Sequence, residues 1–516
     1  MKKFRLYIIA SGLFLVTAIG ISSCTDKFEE YNTDKTRLTE LDASAVGNAF
    51  AAAQHRGLMF SWQLFQSLFS DLQAQFFANT AQAFGSDRNF MNGNWLNGAF
   101  NGFYSNAVPP LYGVLEETKP GGKAANPAIF AIANIWKVKV YQPITDNWGP
   151  IPYSAVGNGK KTVEYDAQDV IYKDFLTTLA KSVADLQAFK GKNVLGNNDL
   201  IYNGDVDKWI LFANTLRLRI AMRISAVEPA LAKSTAEAAV AGGVMETNAH
   251  DAFIRTTANN FNTLNQATAW NEFRMSASME SIMVGFADPR TSKYWAPVPG
   301  TTATYKGLRN GYQPVDLGKP ANSVLALSNV NDRFLPANQN TNPFDVMMSA
   351  EAWFLRAEGA LKGWNMGAGT AKEFYEKGID RSMRQWGITD AAAIAAYTAS
   401  TKTPAAVTGV VDSAPLSDIT VVWSADPTKQ LEQIITQKWV ALYPNGVEAW
   451  AEYRRTGFPK LYARIFSESL FVPTTGVIRR TPFTIGEFQV NAAGVAGGVT
   501  KLGGADNEAT RLWWNK

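Results

Sequence analysis

The stretch Leu58-Met59-Phe60-Ser61-Trp62-Gln63-Leu64-Phe65-Gln66-Ser67-Leu68-Phe69-Ser70-Asp71-Leu72-Gln73-Ala74-Gln75-Phe76 sets the fold class. Its residues Leu58, Trp62, Phe65, Phe69, Leu72 and Phe76 recur at alternating spacings of four and three, which puts them on one face of a helix. The pattern returns at 127–143, 167–188, 205–226, 345–362, 371–386 and 429–443, whereas strand-like alternation is short and scattered. The spacing predicts a mostly α protein of paired helices, although no strict repeat of about 34 residues runs along it. Between the helices lie stretches rich in Gly, Asn, Thr and Pro, at 85–126, 255–344 and 387–428. Irregular segments of that length in a compact protein commonly carry binding. The Gly- and Ala-rich run 491–505 reads as mobile, and Arg511-Leu512-Trp513-Trp514 as docked.

With 516 residues, 46% hydrophobic and 18% charged, the chain can bury a large core, as about three units of roughly 150 residues or as one large body. Of its 49 basic residues, Lys2, Lys3 and Arg5 lie at the very start, so the rest is balanced to within one charge of its 45 acids. That balance argues against nucleic acid as a partner, which calls for basic runs. A single cysteine excludes an internal disulfide, and two histidines argue against a multi-histidine metal site. No cofactor motif is present. Asp26, Asp34 or the loop acids could hold calcium, but no twelve-residue calcium loop is visible.

The basic start is followed by an apolar run, Leu6 to Ile21, that ends at Ile21-Ser22-Ser23-Cys24. The run is short for a hydrocarbon core of about 30 Å. A branched apolar residue, two small ones and a cysteine form a lipobox, so residues 1–23 are predicted to be a lipoprotein signal peptide and Cys24 the lipid attachment point. Several acyl chains on that one residue would anchor the mature chain, 24–516, to a membrane. The acidic Thr25-Asp26-Lys27-Phe28-Glu29-Glu30 resembles the export signals of surface lipoproteins.

Asp146-Asn147-Trp148-Gly149-Pro150-Ile151-Pro152-Tyr153-Ser154 is punctuated to end a helix and turn sharply, because each proline drives the residue before it out of the helical region. Together with Asp207-Lys208-Trp209 through Arg217-Leu218-Arg219, Asp288-Pro289-Arg290, Glu351 to Glu358, Ile434 to Leu442 followed by Glu448-Ala449-Trp450, and Arg480-Thr481-Pro482-Phe483, it resembles the SusD/RagB family of nutrient-binding outer-membrane lipoproteins. The resemblance implies a SusD-like helical body with tetratricopeptide-like pairs and a looped ligand surface. It also implies a lid on a TonB-dependent outer-membrane transporter of the SusC type, which binds an oligosaccharide or peptide nutrient for uptake, with no covalent chemistry.

Sugar binding uses flat aromatic faces. Trp62, Trp209, Trp353, Trp439 and Trp450 sit in helical patterns and read as core, whereas Trp95, Trp270, Trp295, Tyr305 and Tyr312 lie in polar or Gly- and Asn-rich surroundings and are the ligand candidates. Asn94 and Asn97 bracket Trp95 and offer amide donors and acceptors, the alternative being ordinary turn residues. Arg219 and Arg223, four apart on one helix face, read as partners in helix-surface ion pairs, the alternative being a phosphate or carboxylate clamp; Asp288-Pro289-Arg290 reads as a turn with a structural ion pair, and His250-Asp251 as a pair lacking any nucleophile. Two other functions remain open on sequence alone: a secreted glycan-degrading enzyme with paired carboxyl groups, and a lipid-anchored protein-docking scaffold.

Overall fold

The computed structural model describes residues 45–160 and 162–516, so the signal, Cys24, Asp26 and Asp34 lie outside the described residues. The helices of six or more residues with α geometry are α1 (Val46–Met59), α2 (Gly93–Gly102), α3 (Val108–Thr118), α4 (Pro127–Trp148), α5 (Gln168–Leu186), α6 (Val206–Arg223), α7 (Pro229–Ala241), α8 (Ser349–Leu361), α9 (Ala371–Gln385), α10 (Ala391–Thr398), α11 (Pro427–Ala441), α12 (Gly446–Thr456), α13 (Ile485–Val490) and α14 (Ala492–Leu502). Their starts are written in the sequence. The Asn126 side chain accepts from the backbone N–H groups of Ala128 and Ile129 ahead of α4, with Pro127 at its first position. Asp205 and Asp426 cap α6 and α11, and Thr370 with Glu373 forms a capping box on α9.

Successive helices pack in pairs, as tetratricopeptide units do: α4 on α5, α6 on α7 and α8 on α9, with α5 also on α6 and α11 on α8. The opening stretch of the sequence is helical, but Trp62–Ser70 winds as a π-helix. Its wider turn brings polar side chains inward beside Trp62, Phe65 and Phe69. Gln66 Nε2 donates to the Pro444 carbonyl at 2.7 Å, and Ser70 Oγ to that of Phe65 at 2.8 Å.

Two expectations need correction. Residues 85–126 are largely helical: Asn92 caps α2 through the Trp95 N–H, and Pro109 falls in the first turn of α3. Gly102 serves close approach, since a Cβ there would sit 3.2 Å from the Phe60 carbonyl oxygen. The run 491–505 contains α14, whose small residues let it lie against Val163 and Tyr165; a Cβ on Gly498 would come within 2.7 Å of the Tyr165 ring. By contrast, 255–344 and 387–428 hold only short helices and strands. Leu512 and Trp514 are buried as expected. So are the five tryptophans read as core.

Arg219 and Arg223 lie inside the molecule, 1% and 0% exposed, and not on a helix surface. The Arg219 guanidinium meets Glu351 of α8 through two bonds, of 2.7 and 2.5 Å. Arg223 binds Asp146 at 3.2 Å and, more closely, Glu448. Lys438 meets Glu452 at 2.9 Å, and Arg455 bridges Glu452 and Glu358. This buried ionic layer joins α4, α6, α8, α11 and α12, each charge satisfied by one from another helix, which fixes helix register at little net gain in stability. Asp288 and Arg290 form the expected ion pair, fully buried at 2.6 Å.

Short antiparallel pairs of strands organise the loops. They are β2 (Ile151–Pro152) with β3 (Tyr165–Asp166), β1 (Phe77–Asn79) with β5 (Phe273–Met275), and β4 (Ala252–Ile254) with β6 (Phe344–Met347). Gly149 lies at φ +85° just before β2, where a Cβ would also press on Leu512, so the turn ending α4 needs glycine.

Candidate ligand-binding face

β1 runs into the loop 80–92, which is pinned from beneath. The buried Asp87 carboxylate accepts from the backbone N–H groups of Asn79 and Gly311 at 3.1 and 3.2 Å and from Asn310 Nδ2 at 2.6 Å. Burial raises the Asp87 pKa, and the nearby Arg464 works against that rise. One residue on, Arg88 pairs with Glu468 and donates to the carbonyls of Phe84 and Tyr312. Three distant segments, near 80–90, 310–312 and 464–468, are thereby held together.

On this support Phe84 meets Trp95, in the first turn of α2, edge to face at a centroid distance of 4.9 Å. At the other end of the same loop, Thr80 N–H donates to the Glu272 carbonyl at 2.9 Å and Thr80 Oγ1 to that of Asn271 at 2.6 Å. Trp270 directly precedes these residues and is 47% exposed. The loop 80–84 therefore links Trp95 to Trp270. Exposed Val315 and Leu325 lie in the adjoining 313–325 segment, where the Val324 carbonyl accepts from Arg274 Nε at 3.3 Å. Arg274 is buried with only carbonyl and amide acceptors, and desolvation lowers its pKa to about 10.

The remaining candidates are placed differently. Trp295 is 0% exposed, set against Phe77 and Tyr443, and Tyr312 is buried in a satellite cluster with Ala78, Leu308 and Leu317. Neither offers a ring face to a ligand, because the loops that carry them fold inward around β1 and β5. Tyr305 is partly buried against the main core. Asn94 is exposed, whereas Asn97 Oδ1 accepts the Gly486 N–H at 3.0 Å and so fastens α13 to α2. His250 and Asp251 serve the backbone: Nδ1 accepts from Glu246 and Thr247, and the carboxylate from Ser349. Among the described residues no group of three or more His, Cys, Asp or Glu is placed to hold a metal ion. Sequence reading missed Asp87, whose polar surroundings look like any loop; its only signal is an acid before the Arg-Asn of a turn.

A model of the SusD-like family, described as Susd and RagB outer membrane lipoprotein, matches residues 24–515. This chain belongs to the SusD-like family. A chitin-binding SusD homologue from Flavobacterium johnsoniae is 36% identical, with a TM-score of 0.82 over 91% of this chain and 98% of its own. A SusD homologue from Bacteroides vulgatus is 32% identical, with a TM-score of 0.83 over 91% and 97%, and one from Bacteroides uniformis is 33% identical, with 0.82 over 92% and 100%. No curated protein matches the chain. Among the described residues of this SusD-like protein no helix is long and apolar enough to cross a membrane, which is compatible with a lipid-anchored member of the family.

Proposed function

We propose that this SusD-like protein is a surface lipoprotein, attached through Cys24, that binds an oligosaccharide on the face carrying Trp95 and Trp270 and delivers it to a TonB-dependent SusC-like transporter. The observation that carries the reading is the linkage, through the pinned loop 80–84, of the exposed Trp270 ring to the half-buried Trp95 ring. Two flat apolar rings joined by a rigid loop suit successive pyranose units, and the exposed Asn94 offers an amide donor and acceptor to sugar hydroxyl and amide groups at the edge. The 36% identical relative described as chitin-binding makes oligomers of β-linked N-acetylglucosamine the first ligands to test. The function is capture and transfer without bond cleavage.

Calorimetric titration of the purified protein with N-acetylglucosamine oligomers, other neutral glycans and peptides tests the reading. Saturable binding of a glycan that weakens in both Trp95→Ala and Trp270→Ala supports it. Binding of peptides alone would replace the ligand class, and progressive shortening of the glycan would favour the enzyme.

A further inference from the structure

Lys139 is the buried cation with no partner of its own. It lies in the apolar α4 and is 5% exposed, with no hydrogen bond or ion pair to any described residue. The charges around it are Arg219 on α6, Glu448 on α12 and Glu351 on α8. Both carboxylates are already engaged, Glu351 by Arg219 and Glu448 by Arg223 and by Gln142 Nε2 at 3.2 Å. Lys139 also lines a cavity of about 40 Å³, together with Gln66, Gln142, Arg219, Asn445 and Glu448. Asp345 of β6 lines it too, but its two oxygens accept from Arg333 and Gln385. Asn445 uses its Oδ1 to cap α12 and leaves Nδ2 without a hydrogen bond.

A space of this size holds more than one water molecule, or one small ion. We propose that the cavity is a binding site for a small monovalent anion, chloride in the first instance, held by the Lys139 ammonium and the Asn445 amide. The anion supplies the direct contact that Lys139 lacks, since Glu351 and Glu448 reach it only at longer range and a buried ammonium without a hydrogen-bonded partner is costly. Without it the amine is driven toward its neutral form: burial first, and Arg219 second, lower the Lys139 pKa to about 7. Anion and proton are therefore taken up together, and above about pH 7 each further unit should weaken the anion about tenfold.

The test is the melting temperature of the full mature chain in detergent, in sodium chloride and in sodium gluconate at equal ionic strength, at pH 6 and pH 9. Gluconate is too large for the cavity. The expected result is a saturable rise in Tm with chloride at pH 6, its loss at pH 9, and its absence in Lys139→Met. Equal Tm in the two salts at pH 6, or a chloride effect that survives in Lys139→Met, overturns the proposal. Should that variant not fold, wild-type crystals soaked in bromide at pH 6 decide: an anomalous peak beside Lys139 Nζ supports the site, and none there refutes it.

Discussion

Replacing Trp270 and Trp295 by alanine, one at a time, should separate ligand contact from core packing. Trp270 is 47% exposed. With about 250 Å² on a tryptophan, roughly 120 Å² faces outward, of which a stacked sugar covers about half. At about 25 cal/mol per Å² that contact contributes about 1.5 kcal/mol, so Trp270→Ala should weaken a bound glycan about tenfold. Trp295 is 0% exposed. Its removal leaves a cavity against Phe77 and Tyr443 and costs about 3–5 kcal/mol. Unfolding entropy of about 2.1 cal/mol/K per residue over about 470 residues is about 1 kcal/mol/K, so Trp295→Ala should lower Tm by about 4 °C and Trp270→Ala by about 2 °C or less. Calorimetric titration and thermal melts on the same preparations measure both. An unchanged Kd in Trp270→Ala would remove that ring from the ligand face, and a loss of affinity without a Tm shift in Trp295→Ala would contradict its burial.

Asp87→Ala strips the acceptor from three donors and should cost about 2–4 kcal/mol by denaturant unfolding, while weakening any ligand held beside Trp95; an unshifted midpoint would show that the loops hold without it. Glu351→Gln leaves the Arg219 guanidinium buried without its carboxylate and should cost about 3–5 kcal/mol, so wild-type stability would count against the pairing. Burial pushes the Glu351 and Glu452 pKa values up, but their cationic neighbours outweigh it and hold both below the ordinary value. Their stabilisation is thus full above about pH 4.5 and lost as pH falls through the lower folded values, so the acid limb of stability followed by circular dichroism should flatten in Glu351→Gln. Cys24→Ala should move the protein from the membrane fraction to the soluble one; retention with a cleaved N-terminus would place the anchor elsewhere.

The helices were legible because their faces are periodic and their first turns carry Asn, Asp, Thr and Pro in capping positions. Glycine-rich stretches misled for a common reason. Gly98 and Gly102 let α2 lie on Leu64, Phe60 and Ser61, and Gly494 and Gly498 let α14 lie on Val163 and Tyr165, so small residues mark contact there and not mobility. The sequence shows that glycine occurs; only the neighbour shows whether it is used for flexibility or for close approach.

The ligand candidates divided on the same principle. Trp95, Trp270, Trp295 and Tyr312 share polar neighbours in the sequence, but Trp295 and Tyr312 meet Phe77, Tyr443, Ala78 and Leu308 in space, where long-range pairing of β1 with β5 folds their loops inward. Composition within a loop cannot report that pairing, because the partners lie in other segments. Lysines 137 and 139 make the point most sharply. They stand two residues apart on α4, yet Lys137 reaches out over the Tyr153 ring at 4.2 Å while Lys139 is enclosed with Arg219 and Glu448. An apolar helix that carries a lysine on its inward side supplies it with a carboxylate, leaves it to a ligand or drives it toward the neutral amine, and here both nearby carboxylates are taken by arginines.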